Sequence, residues 1–168
     1  MQFTYAQTDD LETKTEKTKP VTFGVKGGMN HSYIYSKYGS GFNGYEWYAG
    51  AFLDTRLSNK WSIQNELLVS ISDFKTYLEI PVVLKYKINN KFSVFAGPKL
   101  DIRTEKDYAF GRRSNLGLST DLGLEYHFNK HFFIESRIGQ SFRRTVQLNS
   151  GGTSGYRRTF RVGVGYKF

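Results

Sequence analysis

The chain has 168 residues, which is the size of one domain, and it contains no cysteine, 12 tyrosines, 14 phenylalanines and 17 glycines. The lack of cysteine excludes a disulfide scaffold and a thiolate metal site, and the lack of any run of about 18 apolar residues excludes a membrane-spanning helix. A net charge of +9 indicates an anionic partner, either nucleic acid or the phosphate groups of lipid and lipopolysaccharide.

The first 19 residues are polar and show no periodicity, so we predict a flexible tail over residues 1–19 and one domain over residues 20–168. Residues 1–7 have the small residue expected at the end of a secretion signal but lack the apolar core of such a signal.

Eight segments after this tail alternate between apolar residues and polar or small ones, as β-strands with two different faces do. The predicted strands are residues 20–30, 45–57, 61–72, 76–88, 92–103, 114–128, 132–143 and 156–168. Pro81 lacks an amide donor, so it is expected at a bulge or at a locally unpaired point. Strands of this length are close to the ~9–11 residues that cross a bilayer when tilted.

The connections between these strands alternate between short and long. Three short turns have Asn and Lys before an aromatic residue, and we predict that Asn adopts the left-handed backbone there: Asn59-Lys60-Trp61, Asn90-Lys91-Phe92 and Asn129-Lys130-His131-Phe132. Long loops are predicted at residues 31–44, 104–113 and 144–155, at the opposite end. This asymmetry is typical of outer-membrane barrels, in which the short turns and the termini are periplasmic.

The polar face combines glycines with nearly balanced charges, which favours the crowded interior of an eight-stranded antiparallel up-and-down barrel with its apolar face in lipid. Paired charges can be buried there. The predicted lumen ion-pair network is Lys26, Glu46, Asp54, Arg56, Glu66, Glu79, Lys85, Lys99, Asp101, Arg103, Asp121, Glu125, Glu135, Arg137 and Arg161, with Arg157 and Lys167 on the same face. The alternative is a soluble lipocalin-like barrel, which would need an apolar cavity and a charged outer surface.

Several stretches resemble the PorT-like outer-membrane β-barrel family of Bacteroidota, chiefly Leu78-Glu79-Ile80-Pro81 with Leu84-Lys85-Tyr86, and the closing Gly163-Val164-Gly165-Tyr166-Lys167-Phe168. The resemblance covers residue 20 to the end and implies an eight-stranded outer-membrane barrel, but no reaction and no link to type 9 secretion. The last strand also resembles the closing strands whose terminal aromatic is read by the barrel insertion machinery, so Tyr166 and Phe168 form the expected insertion signal.

No constellation in the sequence indicates catalysis, a cofactor or a metal. His31, His127 and His131 lack the spacing of a metal pair. His31-Ser32 resembles the His and Ser of lipid A-trimming barrels, but no carboxylate is spaced to orient the histidine. Nucleic acid is not expected, because the basic residues are not interleaved with aromatics along one groove.

Arginines also cluster at the end of the long loops, where they could bind lipopolysaccharide phosphates or an acidic partner, or simply be solvated. They are Arg112, Arg113, Arg143, Arg144, Arg157 and Arg158. We therefore predict a non-enzymatic integral outer-membrane protein with a closed lumen and a structural or accessory role, as a subunit of a larger outer-membrane complex. The alternatives are a surface-binding protein acting through loops 31–44 and 144–155, and a lipid-modifying enzyme.

Overall fold

The structure is a computed structural model that describes residues 20–36, 39–72, 75–103, 116–142, 146–147 and 154–168. The predicted tail (1–19), the predicted loop at 104–113 and most of the predicted loop at 144–155 lie outside these residues. Within them, no helix is long and apolar enough to cross a membrane.

The described chain forms nine antiparallel strands in one sheet. They are β1 (Val21–Ser36), β2 (Gly39–Arg56), β3 (Trp61–Ser72), β4 (Lys75–Lys87), β5 (Phe92–Arg103), β6 (Leu116–His127), β7 (Phe132–Ser141), β8 (Val146–Gln147) and β9 (Ser154–Lys167). Strands β1 to β7 pair in sequence, β7 pairs with β9, and β9 pairs with β1, which closes an eight-stranded barrel. The short β8 adds two residues at the start of β9. The predicted fold is confirmed.

The two faces of the wall differ as the alternation predicts. Outward side chains are large and apolar, and Leu122 and Val164 keep 61% of their surface exposed. Inward side chains are mostly polar or charged and are almost fully buried. Because the wall is closed, backbone donors and acceptors pair between strands, which is what a hydrocarbon environment requires.

One end of the barrel, which we call the turn end, holds the three short turns, the start of β1 and the end of β9. In each turn a side chain accepts hydrogen bonds from the backbone. Asn89 Oδ1 accepts from the amides of Lys91 and Phe92, both at 2.8 Å. Asn129 Oδ1 accepts from the amides of His131 and Phe132, both at 2.8 Å. Ser58 Oγ accepts from the amides of Lys60 at 3.3 Å and Trp61 at 3.1 Å.

The left-handed backbone of Asn59, Asn90 and Asn129 stays a prediction, but these contacts show which side chains hold the turns. Ser58 and Asn89 accept the hydrogen bonds there, and not Asn59 and Asn90. The acceptor must lie three residues before the strand begins, since only from there can a short side chain reach both amides.

The opposite end, which we call the loop end, differs from its prediction. Strand β1 continues to Ser36 and β2 begins at Gly39, so most of the predicted loop 31–44 is a β-hairpin. The physical reason is pairing: β9 extends beside β1 as far as Ser36↔Gly155, and β1 in turn pairs with β2 up to Ser36↔Gly39.

The ladder between β3 and β4 is interrupted at Pro81. The paired residues run from Trp61↔Tyr86 to Asn65↔Val82, and pairing resumes at Leu68↔Glu79 in the same register. No residue is inserted, so Pro81 lies at a locally unpaired point, as one of the two predicted possibilities.

Candidate functional site

The lumen holds most of the predicted ionic residues, arranged in clusters that follow one another along the barrel axis. Nearest the loop end, Glu46 accepts hydrogen bonds from Asn30 Nδ2 at 2.7 Å and Ser32 Oγ at 3.0 Å. The guanidinium of Arg157 forms an ion pair with Glu46 and lies over the ring of Tyr77, 4.6 Å from its centroid. Arg157 is therefore a buried lumen residue, and its predicted place in the rim cluster is wrong.

The next cluster is centred on Glu79 of β4. Its Oε2 lies 2.7 Å from Arg161 and 3.2 Å from Lys99 Nζ, and its Oε1 accepts from Ser70 Oγ at 2.7 Å. Lys99 Nζ also lies 3.5 Å from Asp101 Oδ1. A carboxylate with three donors is satisfied even though it is fully buried.

The centre of the lumen is the Arg137 cluster. The Arg137 guanidinium contacts Glu66 at 3.0 Å, Asp121 at 3.1 Å and Glu135 at 2.9 Å. Lys26 Nζ bridges the same two glutamates, at 2.8 Å from Glu66 and 2.9 Å from Glu135. These two cations and three carboxylates come from β1, β3, β6 and β7, so the cluster joins distant parts of the wall.

The last cluster, nearest the turn end, is centred on Lys85. Its Nζ lies 2.6 Å from Glu125, 3.3 Å from Asp54 and 2.8 Å from Gln64 Oε1. His127 Nε2 lies 3.4 Å from the same Glu125 carboxylate.

Two predicted lumen residues stand apart from these clusters. Arg56 is exposed at the turn end and forms no ion pair with a described residue, because β2 has already reached the open mouth of the barrel there. The backbone of Arg103 pairs with Tyr77 at the loop end, but its side chain lies outside the described residues. Among described residues, seven carboxylates and six cations are buried, so the buried part of the lumen is close to neutral.

Aromatic side chains inside the lumen are the residues that the sequence analysis missed. Tyr48, Phe52, Tyr77, Phe95 and Phe133 are buried on the inner face. Cations lie over several of these rings: Arg161 is 4.3 Å from the Tyr48 centroid and Arg137 is 4.7 Å from that of Phe95. The signal was available, because each ring has the parity of the polar face of its strand.

The glycines of β9 make room for these rings. A Cβ on Gly163 would lie 1.8 Å from Tyr48 Oη, and one on Gly165 would lie 2.1 Å from the edge of the Phe133 ring. Tyr48 Oη in turn donates to Glu135 at 2.9 Å. The inner face therefore needs glycine because bulky neighbours fill the space above it.

The lumen opens at the turn end into a cavity of about 730 Å³, which we call the turn-end vestibule. Pro20 and the side chains of the three short turns surround it, and Lys85, Ser93 and His127 line it on the lumen side.

The structure does not assemble the candidate catalytic pair. Ser32 is buried in the lumen and bonds Glu46, whereas His31 lies on the outer face with its ring 5.0 Å from that of Tyr45. Adjacent strand residues point to opposite faces, so the two side chains are separated by the wall. In the described part of the chain, no group of three or more His, Asp or Glu side chains is arranged to hold a metal ion.

Of the predicted rim arginines, only Arg158 has a described side chain besides the buried Arg157. It is exposed, and its Nε donates to Gln140 Oε1 at 2.7 Å. Arg112, Arg113, Arg143 and Arg144 lie outside the described residues.

The two residues of the expected insertion signal lie at the turn end on the outer face. The ring of Phe168 stacks on that of Phe23 at 5.0 Å, and its amide donates to the Phe23 carbonyl at 3.0 Å. Tyr166 packs between Phe132, at 4.9 Å, and His131, at 5.7 Å. The terminal aromatics thus belong to a continuous aromatic band.

Three solved structures show the same architecture at low identity. The attachment invasion locus protein Ail of Yersinia pestis, in complex with the heparin analogue sucrose octasulfate, is 15% identical with a TM-score of 0.57, over 88% of this chain and 99% of Ail. Neisserial surface protein A is 13% identical with a TM-score of 0.57, over 89% and 100% of the two chains. A de novo designed transmembrane β-barrel is 13% identical with a TM-score of 0.53, over 86% and 95%. These likenesses show the fold.

A search of curated proteins finds no match. The family described as the outer membrane protein beta-barrel domain matches residues 4–168, nearly the whole chain. The closed eight-stranded wall, the apolar outer face and this match agree, and the chain belongs to the outer membrane protein beta-barrel domain family.

Proposed function

We propose that this outer-membrane barrel is a non-enzymatic protein with a closed lumen that serves as a structural or accessory subunit of a larger outer-membrane complex. In this proposal the turn end and both termini face the periplasm, and the barrel belongs to the PorT-like group whose motifs lie on β4 and β9. The observation that carries the proposal is the sealed lumen, in which buried ion pairs and aromatic rings fill the interior.

The sealed lumen argues against a transport path. A solute could pass only if Arg137 and Lys26 left Glu66 and Glu135, and breaking a buried pair costs about 3–5 kcal/mol. The rings of Phe95 and Tyr48 lie beside the same cations, so they block the remaining space. What is left for function is the outer wall and the two ends.

Two measurements test this proposal. In planar bilayers the purified protein should show no large steady conductance, and such a conductance would contradict the closed lumen. Purification from the native membrane in mild detergent should yield the barrel in a larger complex. Recovery of the barrel alone would contradict the accessory role but would not bear on the closed lumen.

A second candidate function, surface binding, is favoured by the hairpin at the loop end. Strand β2 pairs with β3 only from Trp47 onward, so among described residues Gly39 to Glu46 have a partner on one side alone. Such an edge can accept an added strand from a ligand. Replacing residues 34–43 by a two-residue turn should abolish binding to host or matrix surfaces if this function is correct.

The rim arginines and the terminal aromatics carry two further partner proposals. Changing Arg112, Arg113, Arg143 and Arg144 to Gln should reduce the lipopolysaccharide retained during purification, and unchanged retention would contradict lipopolysaccharide binding by these arginines.

Changing Phe168 to Ala should slow assembly of the barrel by the insertion machinery. Lipid A from cells with and without the protein should have the same mass spectrum, since His31 and Ser32 are on opposite faces.

A further inference from the structure

The turn-end vestibule is a dead-end cavity with an unusual lining. Its volume of about 730 Å³ is within the ~300–1,000 Å³ of typical ligand pockets. On the lumen side it stops at Lys85 and His127, beyond which the Glu125 carboxylate and the Phe133 ring are buried. A ligand in this cavity could enter only from the turn end.

The vestibule is strongly and almost uniformly basic. Seven Lys or Arg residues line it, against one acidic side chain, Asp54. That aspartate already lies 3.3 Å from Lys85. The other cations form no ion pair with any described residue: Arg56, Lys60, Lys87, Lys91, Lys130 and Lys167. A concave site lined by one sign of charge concentrates ions of the opposite sign.

We propose that the turn-end vestibule binds a carboxylate-rich peptide segment. Five of its six free cations are lysines, which act as mobile point charges and do not provide the rigid fork with which arginine matches a phosphate. Spread around a cavity of this volume, they suit several carboxylates along a peptide better than one compact phosphate group.

This chemistry has two possible sources. One is a partner subunit with an acidic segment. The other is the chain itself, since Asp9, Asp10 and Glu12 precede Pro20, which lines the vestibule. Seven residues lie between Glu12 and Pro20, and the eight steps from one to the other can span at most roughly 27 Å. Such a short tether gives an effective concentration on the order of millimolar.

The inference deepens the proposed accessory role, because it names the chemistry of the partner. Only the interpretation of the peptide as part of a partner subunit rests on the accessory role; binding of the peptide itself does not. Peptide binding is measured on the isolated barrel, whereas the accessory role is tested by co-purification, so the two can fail separately.

The test uses the full chain in neutral detergent micelles and a fluorescently labelled hexaglutamate peptide, with hexaglutamine as the uncharged control. Changing Lys60, Lys91 and Lys130 together to Gln should weaken hexaglutamate binding about tenfold, as expected for three exposed charge contacts. A matched variant removes the same charge elsewhere: Arg112, Arg113 and Arg158 changed to Gln should leave the affinity within about twofold.

A second pair of variants identifies the source. If the chain's own segment occupies the vestibule, changing Asp9 and Asp10 to Asn and Glu12 to Gln should strengthen hexaglutamate binding, because an intramolecular competitor is removed. Unchanged binding in this variant assigns the vestibule to a partner's segment.

Three results would overturn the proposal: no hexaglutamate binding by either the full chain or the Asp9, Asp10 and Glu12 variant, equal losses in the two triple variants, or displacement of the peptide by inorganic triphosphate at a lower concentration than by unlabelled hexaglutamate.

Discussion

The middle of the lumen and the turn-end vestibule share one inner face, and both are rich in Lys and Arg. In the middle, Arg137 and Lys26 are buried and each contacts at least two carboxylates. In the vestibule, Lys60, Lys91 and Lys130 are exposed and contact no carboxylate among the described residues. The same residue types thus stabilise the wall in one region and remain available to a ligand in the other.

The difference shows that burial and pairing, rather than residue type, decide what a charge does. A buried cation without its carboxylate costs several kcal/mol, so the middle has to be neutral. An exposed cation without a partner costs little free energy, so the vestibule can hold more cations than carboxylates. The buried residues of the described lumen, seven carboxylates and six cations, therefore contribute no positive excess to the net charge of +9.

The largest expected effect comes from breaking the middle. Arg137→Gln leaves Glu66, Asp121 and Glu135 with fewer cations and should lower the free energy of unfolding by about 3–5 kcal/mol. The measurement is urea unfolding of the protein folded into neutral lipid vesicles. Lys91→Gln in the vestibule is the control and should stay within about 0.5 kcal/mol. Similar losses in both variants would erase the distinction between the two regions.

The outer wall should show the same contrast between middle and end. Leu122→Arg places a charge at mid-height on the lipid face and should cost about 2–4 kcal/mol. Ile88→Arg, on the outer side of the turn end, should cost about 0–1 kcal/mol. Both are measured by unfolding from vesicles, and a larger cost for Ile88→Arg would mean that the turn end does not lie near the membrane surface.

The packing of the middle can be examined with a double-mutant cycle. Gly163→Ala forces a Cβ against Tyr48 Oη and should cost about 1–3 kcal/mol. Tyr48→Phe removes that oxygen, so the double variant should lose at least about 0.5 kcal/mol less than the two single variants together. Simple additivity would show that the inner rings shift freely and that the lumen is looser than the structure indicates.

The smallest effect is expected in the turns around the vestibule. Asn89→Ala removes the acceptor for two backbone amides and should cost about 0.5–1.5 kcal/mol. Asn90→Ala, one residue on, should stay below about 0.5 kcal/mol. Thermal or urea unfolding distinguishes the two, and a greater loss at Asn90 would mean that the Asn89 side chain does not hold this turn.

The sequence was sufficient for the strands and their faces because alternation is a local property. Parity alone places Leu122 outside and Asp121 inside, as the structure has them. It was not sufficient for the hairpin beyond His31, since that part of β1 is held by β9, more than a hundred residues away. Nor could it show which carboxylate meets Arg137, because contacts inside the barrel depend on the register of every ladder.

The inner aromatics were missed for a different reason. The predicted lumen residues include neither Tyr48 nor Phe133, although the parity of both places them inside. An apolar ring was not expected beside charges, but a ring face attracts a cation, and Arg161 lies over Tyr48.

The long sequence separation of the lumen ion pairs has a consequence for assembly. Lys26 meets Glu135 across 109 residues, and Arg157 meets Glu46 across 111. Each pair joins a strand at the start of the barrel to one near its end, so neither can form until the wall closes. A half-made wall would leave Glu46 and Arg157 without a counterion, because among the described residues each forms its one ion pair with the other. Insertion should therefore proceed as an all-or-none event, in which pairing of β1 with β9 and formation of these lumen ion pairs occur together.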